Sequence, residues 1–363
     1  MKPTLNIAFF GSSLVSSYWN GAATYYRGLL RAMAERGHVV TFYEPDAYDR
    51  QNHRDIPDPA WARVVVYPAA TADDVLAAVE QARNADLIVK ASGVGVFDAL
   101  LESAVLELQS PDRVVAFWDV DAPATLERVG RDSGDPFRPL IPRYDFVFTY
   151  GGGTPVVAAY TALGARACFP IYNALDPLTH HPVPPDTRFA ADLAFLGNRL
   201  PDRESRVEEF FLDVARSAPA RRFLLGGSGW ADKPRSPNVT YLGHVGTSDH
   251  NAFNCTPTAV LNINRESMAR YGFSPPTRVF EAAGAGACLI TDAWVGIELF
   301  LEPGVEILVA NSGAEVASLV DRLSSDPALG REIGSRARRR VIADHTYAHR
   351  AREVEAALEV VPA

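Results

Sequence analysis

The sequence predicts an α/β protein made of two doubly wound, mostly parallel-sheet domains in series. Three observations carry this. Short apolar runs alternate with amphipathic stretches along all 363 residues, the pattern of repeated strand–helix units. The rhythm breaks once, at NALDPLTHHPVPPDTRF (173–189), which is crowded with turn formers and has no periodicity. The length is generous for one core and comfortable for two.

Taken in order, LNIAFF, HVVTFYE, ARVVVY, ADLIVK, YDFVFTY and RACFP read as strands of the first domain. Between them, AATYYRGLLRAMAERG and ADDVLAAVEQARN carry apolar residues at helical spacing, the former closed by Gly37 in a C-cap role. After the break, ADLAFLG, RRFLLGG, NVTYLG, TAVLNIN, ACLITD and VEILVA read as strands and ESRVEEFFLDVARS as a helix. Three helical segments follow from Gly313 onward. The expected boundaries are 1–175 for the N-terminal domain, 176–190 for a Pro-rich linker and 191–345 for the C-terminal domain. A closing helix over 346–363 is free to pack back on the first domain. In such folds ligands sit beyond the carboxyl ends of the strands.

Composition narrows the function. Hydrophobic content of 47% and charged content of 22% describe an ordinary globular protein. No apolar run is long enough to span a bilayer, and Met1–Phe10 has no leader character, so a cytoplasmic protein is expected. Cys168, Cys255 and Cys288 are too scattered for a disulfide framework or a zinc motif. A net charge of −9 argues against nucleic acid as a partner. The cluster Arg336, Arg338, Arg339 and Arg340 reads as a solvated helix face.

SPPTRVFEAAGAGACLITD (274–292) is the most informative stretch. Ser274 reads as an N-cap, with a helix starting near Pro275. Ser274, Thr277, Arg278 and Glu281 then share one face. First-turn N–H groups, hydroxyls and a guanidinium suit a phosphate or diphosphate, and a carboxylate two turns in suits the diol of a ribose. The plainer alternative is that Arg278 and Glu281 simply pair with each other.

RVFEAAGAGACLITD, followed by VGIELFLEPGVEILVA and RRRVIADHTYAHRA, resembles the carboxyl-terminal half of the spore-maturation CgeB-like glycosyltransferases, over about Ala191 to Ala351. The amino-terminal half matches only generally, through FFGSS and NGAATYYRGLLRAMAERGH. The resemblance implies a GT-B fold, two Rossmann-like domains facing across a cleft, with a sugar nucleotide such as a UDP-sugar held mainly by the second. It implies that Glu281 holds the donor ribose, that Arg278 and the amides after Ser274 face the diphosphate, and that Arg203, with Arg199 as second candidate, meets the phosphates. The alternative for each arginine is an ion pair with Asp202 or Glu204. Gly227 to Trp230 and His244 would line the base pocket. Many retaining relatives carry a second glutamate eight positions before Glu281, where this chain has Phe273. The stereochemistry of transfer therefore stays open.

Other stretches add candidates. LNINRES puts Asn262, Asn264 and Arg265 at a strand end, to touch sugar or phosphate or to cap a turn. The loop after the first strand brings Gly11, Ser12, Ser13, Asn20 and Gly21 together, where backbone amides could approach an anion. In WDVDAP, Asp119 or Asp121 is a candidate base for the acceptor hydroxyl, against an N-cap role for Asp121 and a weaker metal-binding alternative. His345 and His349 have i, i+4 spacing without an evident third ligand. The sequence thus points to a sugar transferase needing no cofactor and no bound metal. Its donor is a nucleoside-diphosphate sugar, and its acceptor is a small molecule, glycan or protein. A nucleotide-sugar epimerase and a non-catalytic sugar-nucleotide binder are the alternatives.

Overall fold

The computed structural model describes residues 4–18 and 20–360. The chain divides into two compact units, Met1–Asn173 with Tyr347–Ala363, and Ala174–Thr346. Both are parallel sheets flanked by helices.

The first unit contains β1 (Asn6–Phe10), α1 (Ala23–Glu35), β2 (Val39–Pro45), β3 (Ala62–Tyr67), α2 (Ala72–Gln81), β4 (Leu87–Ala91), α3 (Asp98–Ala104), β5 (Val114–Asp119), α4 (Ala122–Arg131), β6 (Phe146–Thr149), α5 (Gly153–Ala162) and β7 (Cys168–Pro170). The sheet order is β3-β2-β1-β4-β5-β6-β7, parallel throughout. Chain order therefore reverses between β1 and β4, the switch point at which doubly wound sheets open a crevice. Strand interiors are continuously apolar because both faces are covered: Phe9, Phe42, Phe117 and Trp118 are all buried. Gly37 ends α1 in the left-handed region at φ 96°. Its N–H reaches the Ala34 carbonyl while that of His38 reaches Met33, a Schellman closure.

The second unit contains β8 (Leu193–Leu196), α6 (Pro201–Val207), α7 (Asp213–Ser217), β9 (Phe223–Gly226), β10 (Val239–Gly243), α8 (His250–Cys255), β11 (Ala259–Asn262), α9 (Glu266–Tyr271), α10 (Thr277–Gly284), β12 (Leu289–Asp292), β13 (Leu308–Ala310), α11 (Gly313–Ser325) and α12 (Pro327–Asp344). Its parallel sheet runs β10-β9-β8-β11-β12-β13, with the reversal between β8 and β11. The helix expected over 204–217 is interrupted by a π-helical turn at Glu208–Leu212. The wider turn buries Phe210, Phe211 and Leu212 together, which a regular α-helix would spread around its circumference.

The Pro-rich stretch is not a free linker. Within the second unit it is fastened to α8: Asn251 accepts from the His181 N–H and donates to the Thr179 carbonyl. The Asp186 N–H donates to Thr256 Oγ1. Non-repetitive backbone needs such partners. The last helix, α13 (Tyr347–Val360), belongs to the first unit and packs on α1. Gly28 admits the Tyr347 ring, since a Cβ there would lie 2.2 Å from it. Glu355 accepts from Arg36 at 2.5 and 2.7 Å and lies 3.0 Å from His38. His345 caps the end of α12 and His349 lies in α13, so the two histidines spaced four apart share no helix. Among the described residues no helix is long and apolar enough to cross a membrane.

Candidate functional site

Segments leaving β8 and β11, the two strands at the second switch point, carry the candidate site, joined by the first turns of α10. Ser274 does not cap α10. Its hydroxyl donates to the Gly272 carbonyl at 2.9 Å, and the N-cap is Pro276 in an extended conformation, so the helix begins at Thr277. Two consecutive prolines keep the preceding residues out of the helical region. The anion-facing end is thereby shifted: the first-turn amides are those of Thr277 and Arg278, which have no intrahelical acceptor.

Two cations at this end hold nitrogens without hydrogen-bond acceptors. Arg278 Nε and Nη1 are enclosed with no hydrogen bond, and Nη1 lies 3.4 Å from Glu281 Oε2, a loose ion pair. Arg203 Nε is likewise enclosed and without a hydrogen bond. Burial lowers the Arg203 pKa, and the charges of Arg265 and Arg278 lower it further against the pull of Asp202 and Asp292. Three guanidinium groups therefore feel one another. Gly197 makes room for one of them: a Cβ there would stand 2.8 Å from Arg203 Nη1. Arg265 is steered by Asp202 at 2.7 Å. Asn264, wholly buried, donates its N–H to the Asp292 carboxylate and accepts at Oδ1 from Asn262 Nδ2 at 3.1 Å, while its own Nδ2 makes no hydrogen bond. Asp292, also buried, is held by Arg206 at 2.5 Å. A buried donor without an acceptor costs about 1–3 kcal/mol. Arg203, Arg278 and Asn264 all hold such donors.

Glu281 is buried one turn further along. Burial alone would raise its pKa, but Arg278 first, and then His180 and His250, hold it below the usual carboxylate range. His180 Nε2 is 3.9 Å from Glu281 Oε1. His250 is pushed down to about 4, chiefly by burial and next by Arg278. It is therefore neutral at pH 7, and its Nε2 lies 3.2 Å from the Val245 carbonyl.

Several candidates are corrected. Arg199 is spent on Glu204 at 2.7 Å and Asp232 at 3.0 Å, so its surface-pair alternative is the one realised. Trp230 lines no pocket: it is fully buried and donates from Nε1 to the Gly197 carbonyl at 2.7 Å, pinning the β8 loop from below. Gly227 permits the same close approach, since a Cβ there would meet the Gly197 oxygen at 2.2 Å. His244 is exposed at the end of β10.

In the first unit, Asp119 cannot serve as a base, because it is buried and saturated. Oδ1 accepts from Ser92, Thr125 and the Asp121 N–H, and Oδ2 from Tyr160 at 2.5 Å. Asp121 is partly exposed at the N-cap of α4, but its side chain makes no capping hydrogen bond. The β1–α1 loop is neutralised from within. Glu44 takes the Leu14 N–H at 2.7 Å and the Ser13 hydroxyl at 3.0 Å, while Ser12 and Asn20 bond to each other. Gly21 is exposed beyond them. Sequence reasoning missed His180, His250 and Asp292. Each sits on a separate element, and no spacing announces any of them.

Residues 203–356 match a family model described as glycosyl transferase-like. No curated protein matches the chain in sequence. Among solved structures, HepE of Anabaena in complex with UDP and glucose is similar over 98% of this chain and 100% of its own, with TM-score 0.70 and 14% identity. Sucrose-phosphate synthase of Thermosynechococcus elongatus is similar over 98% of each chain, with TM-score 0.65 and 16% identity. The T4 phage glucosyltransferase BGT, in complex with its UDP-glucose substrate, covers 99% of this chain and 100% of its own, with TM-score 0.63 and 14% identity. The fold is GT-B. The class that fold and matched domain define is the GT-B glycosyltransferases, and both Arg278 on α10 and Arg203 on α6 lie inside the matched stretch.

Proposed function

We propose that this protein transfers a sugar of the hexose class from a nucleoside-diphosphate donor, with UDP as the leading nucleotide, to a hydroxyl of a small molecule, glycan or protein. The observation that carries the reading is the pair of enclosed, hydrogen-bond-deficient guanidinium groups, Arg203 and Arg278, beside the free amides of α10. A departing nucleoside diphosphate develops negative charge, and preorganised arginines and helix amides stabilise it without a metal. Glu281 accepts from the ribose hydroxyls, and Arg265 and Asn264 complete the polar wall. Asp121 is the candidate base for the acceptor hydroxyl. The CgeB-like subfamily and a cytoplasmic location are part of the same reading, supported by HTYAHRA and RVFEAAGAGACLITD. UDP complexes of the structural relatives HepE and BGT favour uridine.

A thermal-shift panel of nucleoside diphosphates and sugar nucleotides tests this, because a ligand bound only by the folded state raises the melting temperature. UDP or a UDP-sugar should give the largest shift. Absence of a shift for every nucleotide would refute donor binding. With donor and an acceptor library, Asp121→Asn should lower kcat while leaving the UDP dissociation constant unchanged.

A further inference from the structure

We propose that His180, His250 and Glu281 form a site for a divalent transition-metal ion of the zinc class, and that the ion acts as an inhibitor by claiming the carboxylate that otherwise serves the donor ribose. The inhibitory half rests on the ribose assignment above; the metal half rests on the three side chains alone.

They come from three places in the second unit. His180 ends a turn organised by Asp176, whose carboxylate accepts from the Leu178 N–H and the Thr179 hydroxyl. His250 opens α8, and Glu281 lies in α10. Donor atoms of all three lie within 4.8 Å of one another. Bonds of about 2.1 Å in a tetrahedral site separate neighbouring donors by roughly 3.4 Å. Side-chain rotation covers the difference, since the His180–Glu281 pair already stands at 3.9 Å.

Both imidazoles present an unused nitrogen. His180 is 3% exposed and its enclosed Nε2 has no hydrogen bond. His250 directs Nε2 to the Val245 carbonyl, which fixes the proton there and leaves the enclosed, unpartnered Nδ1 as a lone pair. A ring nitrogen tied to a backbone carbonyl is the usual support of a metal-binding histidine. Glu281 is supported too, with Oε2 toward Arg278 at 3.4 Å and Oε1 toward His180. An ordinary imidazolium–carboxylate pair would leave the His250 nitrogen unexplained. Two imidazoles and one carboxylate suit zinc, cobalt or nickel rather than magnesium or calcium. A position remains open for water, as in three-ligand zinc sites.

With an ion on Oε1 and Oε2 already turned toward Arg278, the carboxylate loses the face it would offer a ribose diol, so metal and nucleotide should compete. At zinc tenfold above its dissociation constant, competition raises the apparent UDP dissociation constant about tenfold.

The test uses the full chain, stripped with a chelator and dialysed. Zinc is titrated calorimetrically into the wild type and into His180→Ala and His250→Ala, each first shown to melt cooperatively. Cobalt is followed in the wild type by its visible d–d bands and by a paramagnetically shifted imidazole N–H proton, which needs no variant. UDP affinity is measured separately in chelator and in zinc. One zinc per chain, weakened at least tenfold in each histidine variant, with a shifted imidazole proton and weaker UDP binding in zinc, supports the proposal. No saturable binding, or zinc affinity in either histidine variant equal to that of the wild type, overturns it. Equal UDP affinity with and without zinc overturns the inhibitory half. A protein that binds zinc through these histidines but no UDP in chelator keeps the metal site and removes the donor reading.

Discussion

Arg203→Met separates a binding residue from a structural one, because the two roles give opposite signs. In the ligand-free protein, Arg203 holds an enclosed Nε with no acceptor and feels two further guanidinium groups. Leaving such a donor unsatisfied costs about 1–3 kcal/mol. Methionine fills comparable volume without a polar atom, so the ligand-free variant should melt at or above the wild type. The rise is about 2–4 °C per kcal/mol relieved for a unit of this size. In the complex the same guanidinium meets a diphosphate oxygen, and a charge-assisted bond of this kind contributes about 1.5–3 kcal/mol. Its loss corresponds to roughly 10- to 150-fold in affinity. Calorimetry with UDP and melting without it measure the two effects. A variant that melts lower than wild type while binding UDP equally well would refute the argument, because Arg203 would then be structural.

Three further outcomes follow from the same geometry. Glu281→Gln should weaken UDP at least tenfold without weakening inorganic pyrophosphate, since only the nucleoside needs the carboxylate and its loss leaves Arg278 freer for the anion; calorimetry with both ligands decides. Trp230→Phe removes the bond to the Gly197 carbonyl and should cost about 1–3 kcal/mol, read as a lower denaturant midpoint. Glu355→Gln tests the hold of α13. Its carboxyl is kept below the usual range by hydrogen bonds from Arg36, against burial, with His38 adding to the effect. A depressed folded pKa gives stability that is present above the unfolded value and lost as pH falls through the folded one. The wild-type advantage over Glu355→Gln, below about 1 kcal/mol for so accessible a pair, should therefore hold at neutral pH and vanish under acid melting conditions.

Much of the fold is legible in the sequence because parallel strands covered on both faces leave continuous apolar runs, as LIVK and FVFT do; VVAFW, which forms β5, is missing from that reading. The departures have local causes. Ser-Pro-Pro looks like a cap followed by a first turn, yet the second proline itself occupies the N-cap, displacing the helix start to Thr277. The π turn at Glu208–Leu212 arises from three adjacent apolar residues sharing one face, which no helical period encodes. The Pro-rich stretch reads as unstructured because its partners, Asn251 and Thr256, are distant in sequence. Within the site, Arg199 and Arg203 are equivalent as letters. Only the fold brings Asp232 to one of them and leaves the other enclosed.

That asymmetry bears on how the two units differ. Each has a loop leaving a switch-point strand through small residues, and each loop could present amides to an anion. In the first unit the anion is built in: Glu44 takes the Leu14 amide and the Ser13 hydroxyl, and Gln51 also donates to it, at 2.6 Å. A phosphate arriving there would meet a carboxylate already in place. In the second unit the acids are placed otherwise. Asp202, Glu204 and Asp292 neutralise Arg265, Arg199 and Arg206, while Arg203 and Arg278 keep donors that no hydrogen bond satisfies. An enclosed donor without an acceptor is costly, so an anion arriving at these two guanidinium groups would find hydrogen bonds that the protein itself leaves unmade. On the proposed reading, the distribution of carboxylates, more than that of arginines, is what leaves the second unit the one suited to a diphosphate.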